Sequence, residues 1–273
     1  MAKPWWKKAV VYQIYPKSFM DTTGSGTGDL QGIIEKLDYL QELGVDVIWL
    51  TPIYPSPQRD NGYDISDYCD INPAYGTMET FERLLQEAHA RNIRVIMDIV
   101  VNHTSTEHPW FREASSSKQS PYRDYYIWKD GKNGGAPNNW RSKFGGSAWQ
   151  YDETTGQYYL HLFDVTQADL NWENPKLRQQ VYEMMNFWLD KGVDGFRLDV
   201  INLISKDQRF PDDTLETPMD DGRKYYTDGP RIHEFLKEMN RHVFARKPDL
   251  LTVGEMSSTS IENCVKYTRP DEH

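Results

Sequence analysis

The chain has 273 residues, enough for one large domain or two modest ones with a substantial hydrophobic core. Its formal net charge of −10 argues against a polyanionic partner such as nucleic acid. The sequence carries no apolar run of membrane-spanning length and no export signal, and its two cysteines form neither a disulfide framework nor a metal-binding motif. We therefore expect a cytoplasmic monomer that binds neither nucleic acid nor membranes.

Aromatic residues form 13% of the chain and include 9 Trp and 17 Tyr. Such rings can cover the C–H face of a sugar while their polar atoms hydrogen-bond its hydroxyls. A large aromatic core would also account for many of them. The composition therefore favours a carbohydrate ligand without deciding the question.

Five short apolar runs predict β-strands at 11–16, 45–52, 93–101, 195–201 and 250–255. Their nearly continuous hydrophobicity is typical of parallel strands that are covered on both faces. Amphipathic stretches between them predict helices at 29–43, 78–91, 175–191 and 230–245. Gly44 and Gly192 follow two of these helices, as helix C-caps do.

The alternation of strand and helix indicates right-handed βαβ units, which occur in doubly wound sheets and in (β/α)8 barrels. Polar residues gather at three strand ends, namely Asp98 to His103, Arg197 with Asp199, and Glu255. Barrel enzymes build their active sites at these strand ends. No glycine-rich phosphate loop follows the first strand, which argues against a dinucleotide-binding fold. We therefore predict an α/β fold of the (β/α)8 TIM-barrel type.

Residues 104–171 separate the third and fourth strands and are too numerous for a single helix. A segment this long and irregular within a compact domain is usually functional. We interpret it as an inserted small subdomain that caps the site, between barrel strands 1–3 in residues 1–103 and strands 4–5 in residues 172–273. A complete barrel needs about eight strands. We therefore expect the N-terminal portion of a larger enzyme, without the remaining strands and any C-terminal β domain.

Arg197 and Asp199 lie two residues apart on a predicted strand, so their side chains share a face. A guanidinium lowers the pKa of a neighbouring acid, and Asp199 would then remain an anion that can attack an electrophilic carbon. A purely structural ion pair is the alternative. Apolar neighbours would raise the pKa of Glu255 and let it hold a proton for a leaving group. One ionised and one protonated carboxyl group is the division of labour that glycoside hydrolysis requires.

The segment DIVVNH places Asp98 and His103 at the end of the third strand. Asp98 could brace Arg197 from inside the barrel, and His103 could donate a hydrogen bond to a substrate hydroxyl. A single histidine is more often a structural residue, so this motif is weak by itself.

Three segments, DIVVNH, GFRLDVINL and VGEMSS, have the order and spacing of signature segments in the α-amylase superfamily of retaining glycosidases. QADLN at 167–171 resembles an additional signature, and DNGYDI at 60–65 resembles the substrate-pocket loop of the oligo-1,6-glucosidase branch. On these motifs the chain is identified as a member of the superfamily. The resemblance implies that Asp199 is the nucleophile and Glu255 the general acid/base. It also implies a substrate pocket formed by Asp60, Tyr63, His103, Phe144, Phe163, Gln167 and Arg197.

Within the branch, stretches such as WWKKAVVYQIYPKSF and NLISKDQRF are similar to the members that hydrolyse trehalose 6-phosphate. This similarity implies a phosphorylated disaccharide as the small-molecule partner. Val200 resembles the 1,6-specific members rather than maltases. An oligo-1,6-glucosidase, a related α-glucosidase, a sucrose isomerase and a catalytically inert, truncated barrel remain alternatives. A non-enzymatic relative such as a transporter heavy chain is disfavoured, because such relatives lose the catalytic carboxylates.

The resemblance implies double displacement with retention, for which the two carboxyl groups should lie about 5–5.5 Å apart. Asp60 would repel a phosphate on the glucose whose anomeric carbon is attacked. The phosphorylated sugar should therefore be the leaving group. We expect cations there, with Lys206, Arg209, Arg223 and Lys224 as candidates. The superfamily's third carboxylate lies in an NHDQ-like segment, which does not occur in these 273 residues.

Relatives often bind calcium in the loop after the first strand. Here that loop keeps Asp21 and Asp29 but has Thr23 and Ser25 where further oxygen ligands are expected. Calcium takes about 6–8 oxygen ligands, several of them charged. We therefore expect no required cofactor, and we interpret the loop as a solvated glycine-rich turn rather than a tight calcium site, with calcium binding there as the alternative.

Overall fold

A computed structural model of the chain describes residues 4–214 and 216–269. The strands are β1 (Val11–Ile14), β2 (Val47–Leu50), β3 (Arg94–Val100), β4 (His103–Ser105), β5 (Trp128–Lys129), β6 (Trp149–Asp152), β7 (Gln157–Leu160), β8 (Gln167–Asp169), β9 (Gly195–Asp199) and β10 (Leu251–Gly254). The α-helices are α1 (Pro16–Phe19), α2 (Leu30–Glu35), α3 (Leu37–Glu42), α4 (Met78–Ala90), α5 (Pro109–Ser116), α6 (Pro175–Lys191), α7 (Ile232–His242) and α8 (Ile261–Thr268). None of these helices is both long enough and apolar enough to cross a bilayer.

The five predicted strands form one parallel sheet in the order β1-β2-β3-β9-β10. All residues of β9 are buried, as a central parallel strand covered on both faces requires. Because β3 and β10 pair with the two edges of β9, the C-terminal ends of these three strands lie side by side. The sheet confirms the predicted α/β architecture and brings the polar strand ends together.

Two predicted elements are interrupted in the structure. The helix predicted at 29–43 breaks at Lys36, whose backbone angles of φ −100° and ψ 2° separate α2 from α3. The strand predicted at 195–201 ends at Asp199, because Val200 has left-handed backbone angles of φ 37° and ψ 40°. A β-branched residue avoids this conformation. The chain therefore turns sharply, and at some cost in strain, directly after Asp199.

Capping residues determine the ends of α6. The Asn174 side chain accepts a hydrogen bond from the Lys176 amide, Pro175 occupies the first helical position, and Gly192 ends the helix with φ 107°. Gly44 has φ 83° after α3. Gly192 is therefore the C-cap that the sequence predicts, whereas the C-cap of α3 is Leu43 and Gly44 is the left-handed residue that follows it.

The segment between β3 and α6 forms two small antiparallel sheets, β4–β8 and β5–β7–β6, together with α5. The β4–β8 pair aligns His103 with Asp169 and Ser105 with Gln167. It thereby returns residues from the far end of the segment to the end of β3. The division into 1–103, 104–171 and 172–273 stays an interpretation, and β4 begins at its first boundary.

Many aromatic residues belong to the hydrophobic core. Trp188 of α6 is fully buried, and its ring packs 5.6 Å from that of Tyr54 and 5.3 Å from that of Phe81. A second buried cluster, which includes Trp140, packs together with Val200. A large aromatic core therefore accounts for these residues without any sugar ligand.

Gly195 is a point of close approach between β9 and β10. A Cβ atom at this position would lie 1.9 Å from the backbone oxygen of Leu251. Because the backbone of a paired strand cannot move aside easily, we expect Gly195→Ala to lower the free energy of unfolding by about 3 kcal/mol. Chemical denaturation of the full-length protein measures this change. Gly135→Ala is the matched control, since its Cβ would meet only the Lys132 oxygen at 3.8 Å; equal destabilisation by both substitutions would contradict the expectation.

Candidate active site

Arg197 joins three carboxylates, Asp98 of β3, Asp199 of β9 and Glu255 directly after β10. Its Nη1 atom donates to Asp98 at 2.9 Å and to Asp199 at 2.5 Å, and its Nη2 atom lies 2.7 Å from an oxygen of Glu255. The register of β3 against β9 pairs Asp98 directly with Arg197. Arg197 and Asp199 therefore share a face, as predicted, and Asp98 braces the guanidinium.

Asp98 is held in place by two further donors. Trp49 Nε1 donates to its Oδ2 atom at 3.1 Å, and the Tyr63 hydroxyl donates to the same atom at 3.2 Å. The Arg197 guanidinium also lies 5.0 Å from the centre of the Trp49 ring, within the range of a cation–π contact. These contacts orient Arg197 and, through it, the other two carboxylates.

One guanidinium cannot neutralise three carboxylates, and water barely reaches two of them, Asp98 and Asp199. Burial raises the pKa of Asp199 well above its ordinary value, Asp98 raises it further, and Arg197 acts in the opposite direction. Burial likewise raises the pKa of Asp98 to about 6, against the lowering effect of Arg197. The prediction that Arg197 keeps the pKa of Asp199 low is therefore wrong, because burial and a like charge outweigh the cation. The coupled carboxyl groups bind protons as a unit.

Glu255 occupies the open side of this cluster. Its side chain is 45% exposed, whereas that of Asp199 is 9% exposed. The Val200 amide donates to Glu255 Oε2 at 3.2 Å and supplements the ion pair with Arg197. Glu255 is open to solvent here because β10 is the edge strand of the described sheet, which is why Val253 is also 40% exposed. The expectation that apolar neighbours enclose Glu255 stays a prediction.

A pocket of about 210 Å³ opens beside Asp199 and Glu255. Its wall contains eight of the nine predicted site residues together with Val200: Asp60, Tyr63, His103, Phe144, Phe163, Arg197, Asp199, Val200 and Glu255. A larger cavity of about 620 Å³ lies between Leu198 of β9 and Leu236 of α7, but no carboxylate lines it. The smaller pocket is therefore the candidate active site.

Asp60 and Gln167, the ninth predicted residue, form one end of the pocket. Gln167 Nε2 donates to Asp60 Oδ2 at 2.9 Å, and the Asp164 amide donates to Gln167 Oε1 at 2.9 Å, which fixes the orientation of the side-chain amide. Burial raises the pKa of Asp60, and the Gln167 hydrogen bond acts in the opposite direction. A carboxylate beside a side-chain amide can accept from and donate to sugar hydroxyls.

His103 forms the adjacent wall of the pocket. Burial lowers its pKa to about 4, so the imidazole is neutral at neutral pH. With the proton on Nε2, the ring donates to the Tyr63 carbonyl at 3.2 Å, and Nδ1 accepts from Asn102 at 3.3 Å. The Phe163 ring lies 5.1 Å from the imidazole, and the Phe144 ring lies 5.7 Å from Phe163. Both phenylalanines reach the pocket from the inserted segment, as predicted.

Two buried carboxylates that the sequence analysis does not single out support these residues. Asp64 accepts hydrogen bonds from the backbone amides of Arg59 and Asp60 and thereby holds the loop that carries Asp60. Asp169 pairs at 3.0 Å with Lys206, behind the wall that contains the β4 residues. Both lie within segments that the sequence analysis names, Asp64 in DNGYDI and Asp169 in QADLN, and these motifs are the signal that could have found them.

Each of the four cations proposed to bind a phosphate forms an ion pair with a carboxylate. Lys206 is fully buried, where it pairs with Asp169 and donates to Asn102 Oδ1 at 3.1 Å. The prediction that Lys206 binds the phosphate is therefore wrong, because this lysine neutralises the buried Asp169. The other three candidates also form ion pairs: Arg209 with Asp207, Arg223 with Asp221, and Lys224 with Asp213.

The sequence also matches the profile of a known protein family. The profile described as "Alpha amylase, catalytic domain" matches residues 13–273. The chain belongs to the alpha-amylase family. The catalytic domain of this family is a TIM barrel, and the five-stranded parallel sheet forms part of one.

Individual relatives within the alpha-amylase family resemble nearly the whole chain. A trehalose-6-phosphate hydrolase of Bacillus subtilis (strain 168) is 71% identical over 269 residues, which cover 98% of this chain and 47% of that protein. An oligo-1,6-glucosidase of Parageobacillus thermoglucosidasius is 61% identical over 272 residues, covering 99% and 48%. The crystal structure of Bacillus licheniformis trehalose-6-phosphate hydrolase has a TM-score of 0.95 at 70% identity, covering 99% of this chain and 48% of that one. The chain thus spans about half the length of the curated relatives it matches.

In this member of the alpha-amylase family, the loop from Asp21 to Asp29 does not fit a calcium ion. Asp21 Oδ1 accepts from the amide and hydroxyl of Thr23 and from the Gly24 amide, and Oδ2 accepts from the Gly26 amide. The Gly26 hydrogen bond and those of Thr23 lower the pKa of Asp21 to about 2, and these donors occupy lone pairs that a cation would need. Within residues 4–214 and 216–269, no group of three or more His, Cys, Asp or Glu side chains is arranged to hold a metal. The expectation that no cofactor is required stays a prediction.

Asp98→Asn should change how stability depends on pH. A carboxyl group whose pKa rises from 3.8 to about 6 on folding stabilises the fold below pH 3.8, and this contribution is lost as the pH rises through 6. The variant lacks that group, so its free energy of unfolding should fall less than that of the wild type between pH 4 and pH 7, by on the order of 2 kcal/mol. Urea denaturation at both pH values measures the difference.

Asp38→Asn is the control for this experiment, because Asp38 is 76% exposed at the protein surface. Its pH dependence should parallel that of the wild type. An Asp98→Asn protein that loses as much stability as the wild type over this range would contradict the raised pKa of Asp98.

Proposed function

We propose that the full-length protein is a retaining α-glucoside hydrolase that cleaves trehalose 6-phosphate into glucose and glucose 6-phosphate. The observation that carries the reaction class is the placement of Asp199 and Glu255 at the ends of neighbouring strands, bound to one guanidinium in the wall of one pocket. The similarity to a trehalose-6-phosphate hydrolase supports the substrate. That relative is about twice as long as the matched region, so the proposal concerns the full-length protein.

In the proposed reaction, Asp199 attacks the anomeric carbon while Glu255 donates a proton to the bridging oxygen. The bond from that carbon to the leaving glucose 6-phosphate breaks, and a β-glucosyl ester forms on Asp199. Glu255, now ionised, removes a proton from a water molecule, which attacks the same carbon and releases glucose with the α configuration. The separation of about 5–5.5 Å between the two carboxyl groups stays a prediction.

The contacts of the two acids support this division of roles. Asp199 contacts Arg197 and is shielded from water, whereas Glu255 reaches the same guanidinium from the end of the neighbouring strand. The reaction requires an ionised Asp199 when the substrate is bound, and the adjacent Arg197 guanidinium acts to lower the pKa of Asp199.

The pocket also orients the substrate. Asp60 and Gln167 lie at one end, where they would hydrogen-bond the hydroxyls of the glucose that Asp199 attacks. The charge of Asp60 would repel a phosphoryl group at this end. The phosphorylated glucose is therefore the leaving group and lies beside Glu255 and the exposed Phe144 ring.

Substitution of the two acids separates the two chemical steps. Glu255→Gln in the full-length protein should lower kcat/KM for trehalose 6-phosphate by about 10²–10⁴-fold, because the leaving group loses its proton donor. With an activated aryl α-glucoside, whose departure needs no proton, the same variant should accumulate a covalent glucosyl-enzyme that mass spectrometry detects. Asp199→Asn should accumulate none. A glucosyl adduct on Asp199→Asn would exclude Asp199 as the nucleophile.

A substrate panel tests the choice of substrate. The wild-type protein should hydrolyse trehalose 6-phosphate with a kcat/KM at least about tenfold above that for trehalose or isomaltose, since charged hydrogen bonds to the phosphate add binding energy. Release of glucose, measured by a coupled assay, gives all three values. A preference for isomaltose would instead support the second candidate, an oligo-1,6-glucosidase, which the 61% identity to such an enzyme favours.

A further inference from the structure

The side of the pocket beside Glu255, where the phosphorylated leaving sugar would bind, needs a cation if the proposed function is correct. The assignment below rests on that function. A phosphate monoester is doubly charged near neutral pH, and proteins bind it mainly through Lys, Arg and neutral hydrogen-bond donors. The four cations that the sequence suggests are paired with carboxylates, and Lys206 is buried as well. A cation without a carboxylate partner is therefore a stronger candidate for the phosphate.

Lys143 places an ammonium group on this side. It directly precedes Phe144, which lines the pocket. Its Nζ atom donates to Ser257 Oγ at 3.1 Å and to Ser258 Oγ at 3.3 Å. These serines follow Glu255 by two and three residues, so Lys143 bridges the inserted segment and the loop that begins at the proposed general acid.

The Lys143 ammonium is only partly hidden from solvent and has neutral hydrogen-bond partners. Among the residues that the structure describes, no carboxylate lies within ion-pairing distance of it. Burial lowers its pKa and Arg223 lowers it further, while Asp221 and Glu255 act in the opposite direction. A partly desolvated cation without a counter-ion is unfavourable, and an anionic ligand would relieve that cost.

We propose that Lys143, together with the hydroxyls of Ser257 and Ser258, binds the phosphoryl group of the leaving sugar and sets the preference for phosphorylated substrates. Serine hydroxyls both accept and donate hydrogen bonds. They satisfy the ammonium when the site is empty and turn to donate to phosphate oxygens when it is filled. Because the three groups adjoin Glu255, binding the phosphate also positions the bridging oxygen beside the proton donor.

Lys143→Ala in the full-length protein tests this assignment. We expect kcat/KM for trehalose 6-phosphate to fall about 10–100-fold, mainly through KM, as loss of a charged hydrogen bond predicts. For p-nitrophenyl α-glucoside, which has no phosphate, kcat/KM should change less than about threefold, within the range of neutral surface substitutions. The inhibition constant of glucose 6-phosphate should rise by the same factor as the loss on trehalose 6-phosphate, and that of glucose should not change.

Two further variants complete the experiment. Lys143→Arg should retain most of the phosphate preference, because it keeps the charge. Lys132→Ala is the matched control, since Lys132 belongs to the same inserted segment, is 59% exposed and pairs with Asp212; it should leave both activities unchanged.

Two outcomes would overturn the assignment of Lys143. One is an unchanged kcat/KM for trehalose 6-phosphate in Lys143→Ala. The other is an equal loss on both substrates, which would show that Lys143 only joins two segments. A wild-type protein without any preference for the phosphorylated substrate would instead overturn the proposed function, and the inference with it, before any variant is compared.

Discussion

The buried guanidinium of Arg197 is the interaction on which the rest of the site depends. A charge at this depth is costly unless it is paired, and three carboxylates, two on neighbouring strands and one directly after a third, surround it. These contacts require that β3, β9 and β10 keep their order and register, since a slip of one residue would turn Asp98 or Asp199 to the opposite face. The sheet and the site therefore stabilise each other.

Around this centre, the pocket has a closed end and an open side. At the closed end, each polar group is already bonded: Asp60 to Gln167, His103 to Asn102, and the buried Lys206 to Asp169 behind them. On the open side, Glu255 and Phe144 are 45% and 60% exposed. A pre-organised end suits recognition of one fixed sugar.

The pKa of Asp199 and the exposure of Glu255 could not be predicted from their neighbours in the sequence. Arg197 and Asp199 on one strand predict a low pKa for Asp199, yet burial and Asp98 raise it. The apolar neighbours of Glu255 predict enclosure, yet its strand lies at the edge of the described sheet. In both cases the residue type and its position are predicted correctly, while the environment comes from other strands.

The sequence by itself determined the five parallel strands, the shared face of Arg197 and Asp199, and, through its motifs, the residues that line the pocket. These properties follow from local periodicity and from short segments. Only the tertiary structure decided which cation is available for an anionic ligand. Lys206 is neutralised by Asp169, and Lys143 meets Ser257 from 114 residues away. Burial and ion pairing depend on residues that are distant along the chain, so no local pattern distinguishes the two lysines.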